Sequence, residues 1–237
     1  MKLQCYGEPG AAGSMAPEPR CIGSGTRPVR GAARRTGRIA ALDPQELPLV
    51  EGTPRDDVRL GPCVGAIGKL VCIGLNCADH AEGAGTPGAY IDEADAMAHI
   101  AGYCVINDVS ERDFQLNSAG TWDKGKGCDT FGQTGPCLVT PDEIDDVDAL
   151  DMLLDVDGKR MQSGSTATLI FRMPHPISCC SRFMSLRPGD VVSTGKPPGV
   201  GMGQQPPRYL QGREVVELGK TGLGRQRAAV LPAVASA

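Results

Sequence analysis

Four short stretches of this chain hold side chains that could do chemistry. The first is Asn107-Asp108-Val109-Ser110-Glu111-Arg112-Asp113-Phe114-Gln115, which follows an apolar run. Asp108 could hold a hard cation through oxygen, and Arg112 and Gln115 could hold a carboxylate or carbonyl. Polar residues after a strand are also ordinary loop residues. The second is Lys124-Gly125-Lys126-Gly127-Cys128-Asp129-Thr130-Phe131-Gly132. Its glycines would let backbone come close to a ligand, and a lysine in a dry site can steady an enolate or a carboxylate. The spacing is not that of a phosphate-binding Walker loop, and a plain surface lysine is the alternative. The third is Ser193-Thr194-Gly195-Lys196-Pro197-Pro198-Gly199-Val200-Gly201-Met202-Gly203, where exposed glycine N–H groups could cradle a carboxylate or simply form a loop. The fourth is Gly74-Leu75-Asn76-Cys77-Ala78-Asp79-His80. His80 could act there as a general base beside a pocket, or sit solvated on a loop. The other two histidines read as structural or exposed: His99 lies in an alanine-rich stretch, and His175 between Pro174 and Pro176.

The elements that must position these residues are mostly short strands. Residues 1–10 read as a strand ending in a Pro-Gly turn. Lys69–Leu75 reads as a buried strand, Asn76–Gly83 as a helical turn, and Asp92–Ile100 as a short helix with Ala94, Met97 and Ala98 on one face. Ala101–Val109 is a strand. Leu150, Met152, Leu154 and Val156 alternate as in a half-buried strand, and Asp157-Gly158 turns it back into a hairpin. Ile177–Met184 suggests a helix. Leu186-Arg187-Pro188-Gly189-Asp190 is a tight turn before the strand Val191–Thr194, and Val215–Leu218 and Gly222–Val230 supply the last strands. This pattern implies a mixed, mainly β fold with α elements and not a doubly wound sheet.

Composition narrows the function. Apolar residues are 41% of 237 and charged residues 22%, enough for a packed core. A net charge of −4 disfavours nucleic acid or an anionic membrane as the main partner, and no apolar run is long enough to span a bilayer. The start of the chain lacks a signal-peptide core. The ten cysteines include no C-x-x-C pair and lie mostly in apolar runs, so they read as buried reduced thiols in a cytoplasmic protein. Residues 11–40 carry six arginines against Glu18 alone, without a helical or strand period. They read as an irregular, poorly ordered segment, with a nucleic-acid-binding arm as the alternative. The chain divides into an N-terminal segment, 1–60, and a main domain, 61–237, which holds all four stretches.

Taken together and in this order, the four stretches resemble the fumarylacetoacetate hydrolase family. The matching pieces are Lys69–Asn76 with Asp79-His80, Ala101–Gln115, Gly125–Phe131, Met161–Phe171 and Arg187–Gly203. Gly127–Gly132 looks closest to members named ureidoglycolate lyases or 2,4-diketo-3-deoxy-sugar-acid hydrolases. The resemblance implies a rolled, mixed β-sheet core of the family's C-terminal type, a homodimer, and cleavage of a small keto acid at a divalent metal, commonly Mg²⁺. It makes Asp108 a metal ligand and His80 the base that activates water. Lys126 becomes the residue that stabilises developing negative charge. Arg112, Gln115, Thr194, Gly195 and Lys196 become substrate-binding positions.

The sequence departs from the family in four places. The strand carrying the family's Glu-x-Glu metal ligands is absent at the Pro87–Gly88 junction, which makes the core incomplete. Its loss is expected to leave neighbouring strands unpaired. Position 83 is Gly, with Glu82 displaced by one from the histidine's usual partner. Lys196 stands where the family's Gly-Thr-Pro loop has threonine. Residues 11–40 do not match, a pattern that a deletion with a shifted reading frame, or a sequence error, would leave. The alternative function is therefore a catalytically inactive, truncated family member, in which only Glu82, Asp92 and Glu93 lie near enough in sequence to replace the lost ligands.

Overall fold

The structure is a computed structural model that describes residues 2–6, 20–23, 27–29, 60–61, 63–64, 67–73, 81–84, 88–118 and 122–232. Within them, two sheets form. The larger has the order β3 (Arg27–Val29), β2 (Arg20–Gly23), β1 (Lys2–Tyr6), β8 (Gln133–Val139), β7 (Ile100–Asn107), β6 (Ala81–Ala84), β11 (Val191–Ser193) and β5 (Leu70–Cys72), with β4 (Leu60–Gly61) also on β1. The smaller runs β10 (Lys159–Ser165), β9 (Asp151–Val156), β12 (Val215–Lys220) and β13 (Gly224–Ala229), all antiparallel.

One apolar core lies between the sheets. Val105, Val139 and Val192 come from the larger sheet, and Val156, Val216 and Leu218 from the smaller. Helix α3 (Pro174–Phe183) adds Ile177 and Cys180. The Gln226 side chain on β13 donates to the carbonyls of Val105 at 2.8 Å and Gly135 at 2.9 Å, tying the small sheet to β7 and β8. A side-chain amide thus adds a cross-layer bond to two carbonyls of the β7–β8 pair. This is the mixed sheet fold with few helices that the sequence implied.

Several elements stand where the sequence put them. The β9–β10 hairpin turns at Asp157 and Gly158, with φ of 49° and 75°, the left-handed pair that a two-residue hairpin requires. The Arg187–Asp190 turn closes by a 2.9 Å bond from the Asp190 N–H to the Arg187 carbonyl. The buried Asp190 carboxylate accepts from Lys69 at 2.5 Å and from the Arg187 N–H at 2.9 Å, fixing β11 against the start of β5.

Others differ. Residues 81–83, expected in a helical turn, belong to β6, which pairs with β7 on one side and β11 on the other. Each of those neighbours is paired on its other side as well, β7 with β8 and β11 with β5, so among the described residues the expected unpaired strands around Pro87–Gly88 are not found. The Lys69–Leu75 run is no buried strand: β5 is an edge, and Leu70 and Cys72 are exposed. The Asp92–Ile100 helix shrinks to one 3-10 turn at Ala96–His99, whose buried residue is Ala96, while Ala94, Met97 and Ala98 face outward. Part of the 11–40 segment, read as lacking a strand period, pairs as β2 and β3. Cys63, Cys104, Cys137 and Cys180 are buried as expected, and Cys128 and Cys179 are half-buried.

Leu186 is wholly buried, and its backbone exchanges bonds of 2.8 and 3.0 Å with Gly88, anchoring the chain there. Leu186→Ala is expected to cost about 2–5 kcal/mol of stability, read as a lower midpoint in urea unfolding with an unchanged slope.

Candidate functional site

The site grows from the end of β7. The strand's last side chain, Asn107, is buried and donates to Gln133 Oε1 on β8 at 3.1 Å. The chain then leaves the sheet at Asp108. It re-enters order as α1 (Arg112–Asn117), capped by the Glu111 carboxylate, which accepts from the Asp113 N–H at 2.9 Å. A cap of this kind satisfies one of the free N–H groups of the first turn.

Helix α2 (Trp122–Lys126) packs on α1 backbone to backbone. The Glu111 N–H donates to the Gly125 carbonyl at 2.8 Å. A Cβ on Gly125 would lie 2.4 Å from the Glu111 carbonyl oxygen and 2.6 Å from Gln115 Cβ, so only glycine allows this approach. The glycine read as making room for a ligand makes room for a helix. Lys126 sits at the end of α2 and not in a loop, and α2 carries its ammonium to Asp108 Oδ1 at 2.5 Å.

The third segment follows β11. Lys196 donates to the other oxygen of Asp108, Oδ2, at 3.1 Å. Its loop is held by the small sheet: Gln162 on β10 donates to the Pro197 carbonyl at 2.8 Å, and Gly199, at φ 108°, passes so close to the Met161 carbonyl that a Cβ would overlap it. Gln162 is a positioning residue that the sequence did not announce.

One carboxylate is therefore bracketed by two ammonium groups. The three side chains are half-buried, 19% exposed for Asp108, 23% for Lys126 and 31% for Lys196. Burial pulls the Lys126 ammonium below the usual lysine pKa. Its bond to Asp108 and that carboxylate's charge oppose the shift, while the charges of Lys196 and Arg112 add to it. Arg112 donates to the buried Gln115 Oε1 at 2.5 Å, which fixes its guanidinium beside this cluster. Thr194 is fully buried and its hydroxyl has no hydrogen-bond partner among the described residues, next to Gly195 at φ 134°.

The structure thus brings Asp108, Lys126 and Lys196 into contact, with Arg112–Gln115 alongside and Thr194-Gly195 leading into the Lys196 loop. His80 lies outside the described residues. His175 stacks on Phe171 at 4.5 Å and meets Glu93 at 3.1 Å, so Glu93 is engaged there.

These residues do not fit a divalent cation. Mg²⁺ asks for octahedral oxygen ligands, usually with two or more carboxylates where no phosphate is present. Here both oxygens of the single carboxylate are already bonded to cations. Among the described residues, no group of three or more His, Cys, Asp or Glu side chains could hold a metal.

Comparison with known proteins gives a consistent picture. The family profile for the fumarylacetoacetate (FAA) hydrolase C-terminal domain matches residues 83–231. A protein of Burkholderia multivorans, provisionally named a hydrolase, is 45% identical, with 80% of this chain and 82% of its own length covered. Among solved structures, fumarylacetoacetate hydrolase from Exiguobacterium antarcticum has a TM-score of 0.83 at 26% identity, covering 98% of this chain and 99% of that one. A 2-hydroxyhepta-2,4-diene-1,7-dioate isomerase from Mycobacterium marinum has a TM-score of 0.73 at 25% identity, with 98% of each chain covered.

Gly125→Ala tests the helix contact. It is expected to cost about 1–3 kcal/mol by overpacking, seen as a lower melting temperature, because α2 must move off α1 and carry Lys126 away from Asp108.

Proposed function

The chain belongs to the fumarylacetoacetate hydrolase family, and on that premise we propose that it hydrolyses a carbon–carbon bond in a small 2,4-diketo acid of the acylpyruvate type. The observation that carries this reading is the gathering of Lys126, Lys196 and Arg112 around Asp108 at the end of β7. Three cations around one carboxylate leave a net positive site, suited to a keto-acid anion. The relatives named above as a hydrolase and as an isomerase of a 2-hydroxy-diene-dioate favour the same chemistry. The 2-hydroxy-diene is the enol of a 2-keto acid, so both reactions need a site that steadies an enolate.

The substrate's carboxylate binds to Arg112, whose guanidinium Gln115 holds in place. The Gly195 backbone, partly exposed beside Lys196, takes the remaining carboxylate or carbonyl oxygen, and the buried Thr194 anchors the start of that loop. A base, His80 in this reading, takes a proton from water. The hydroxide adds to the C4 carbonyl, the C3–C4 bond opens, and its electron pair passes through C2 to the 2-oxo oxygen as an enolate. Lys126 donates to that oxygen as charge develops, in a half-buried site where the interaction is worth more than in water. Protonation at C3 gives pyruvate, and the other fragment leaves as a carboxylic acid.

The test is release of pyruvate from acetylpyruvate and longer acylpyruvates by the purified full chain. Lys126→Met should lower kcat about 10²- to 10³-fold, in the range set by loss of one oxyanion donor. If no acylpyruvate yields pyruvate, with or without added Mg²⁺, this reading is lost and the inactive, truncated family member takes its place.

A further inference from the structure

We propose that the Lys196 ammonium supplies, as a tethered charge, what a divalent cation would otherwise supply at Asp108, so that this chain binds keto-acid anions without a metal. The inference deepens the preceding reading and rests on it for the class of ligand. It stands on the geometry of one carboxylate. Asp108 Oδ1 accepts from Lys126 at 2.5 Å and Oδ2 from Lys196 at 3.1 Å. A bare cation approaching Asp108 would face the repulsion of both ammonium groups, with no second carboxylate beside it to offset that cost.

Donor capacity points the same way. An ammonium carries three N–H donors. Lys126 and Lys196 each place one on Asp108, which leaves two on each for a ligand. The free donors lie on either side of one carboxylate in a half-buried site. A planar anion with two adjacent oxygens, as in the C1 carboxylate and 2-oxo group of a keto acid, can lie across both. Asp108 then serves as the pivot that holds two like charges close enough to share the ligand, a role that replaces metal ligation with charge-assisted hydrogen bonds.

The loop makes Lys196 a built feature. Its backbone is pinned one residue on, where Gln162 holds the Pro197 carbonyl at 2.8 Å, and again where Gly199 rests on Met161. Gly164 opposes Pro197 so closely that a Cβ there would come within 2.7 Å of the ring. The long side chain therefore starts from a fixed base, and Asp108 fixes its tip.

The probe is oxalate, which copies the planar O–C–C–O edge of a keto-acid enolate. Calorimetric titration of the full chain, before and after EDTA treatment, should give the same affinity. Lys196→Met should weaken oxalate about 10- to 100-fold, as loss of a charge-assisted bond does, and Lys196→Arg should recover most of it. Lys196→Met should also bind Mg²⁺ more tightly than the unaltered chain, since one competing charge is gone. Oxalate binding that appears only when Mg²⁺ is added would overturn the proposal. So would a folded Lys196→Met variant that binds oxalate as tightly as before. Should Lys196→Met fail to fold, the EDTA comparison on the unaltered chain decides alone. Oxalate binding needs no turnover, so metal-free binding without acylpyruvate cleavage would sink the proposed reaction and leave this inference standing.

Discussion

A carboxylate with a cation on each oxygen holds this site together. Asp108 reaches 18 residues along the chain to Lys126 and 88 residues to Lys196. Three segments with separate origins thus meet at one side chain. Without the carboxylate, two ammonium groups would repel each other in a half-buried place, where screening by water and salt is weak. Without either lysine, a half-buried carboxylate would lose half its partners. The rest of the architecture can be understood as what brings these charges to one point: β7 ends there, α2 delivers one lysine, and β11 runs into the loop that delivers the other.

The supports are of a different kind from the site itself. They are contacts with no charge to spare: a glycine that lets two helices touch, an amide on a proline carbonyl, a glycine against the Met161 carbonyl. Their energies are individually modest, but each fixes a position rather than an affinity. The charged groups can stay long and partly exposed because the backbone beneath them is tightly placed. The same division holds in the core, where valines from both sheets fill the interior and Gln226 ties the small sheet to the backbone of β7 and β8.

Much of this was legible in the sequence, and the reasons are local. Asp157-Gly158 announces a hairpin because few other pairs accept two left-handed residues in a row. The Arg-Pro-Gly-Asp turn and the alternation of Met152, Leu154 and Val156 are equally self-contained, and so is the strand that ends at Asn107. What was hidden depends on distant partners. Ala81-Glu82-Gly83-Ala84 has poor strand-forming residues, and it is a strand because β7 and β11 offer ladders on both sides. A single 3-10 turn at Ala96–His99 has no period to read, so its buried side was misplaced. Gln162 gave no sign because its partner, the Pro197 carbonyl, lies 35 residues away. For the site, the residue types and their order were visible, but not that Asp108 would spend both oxygens on lysines.

The Lys196 loop leans on β10, a strand of the small sheet, whereas Asp108 and Lys126 hang from the end of β7 in the large one. The charge cluster therefore straddles the seam between two layers. Loosening of the docking between the sheets would strip the Lys196 loop of its brace on β10 and leave it held by β11 alone, while Lys126 would keep its helix. The Lys196 arm of the cluster would slacken in a partial opening well short of global unfolding, a kind of fluctuation that native proteins make with free energies below their full stability. The proposed anion, bridging both lysines, would act as a clasp across that seam.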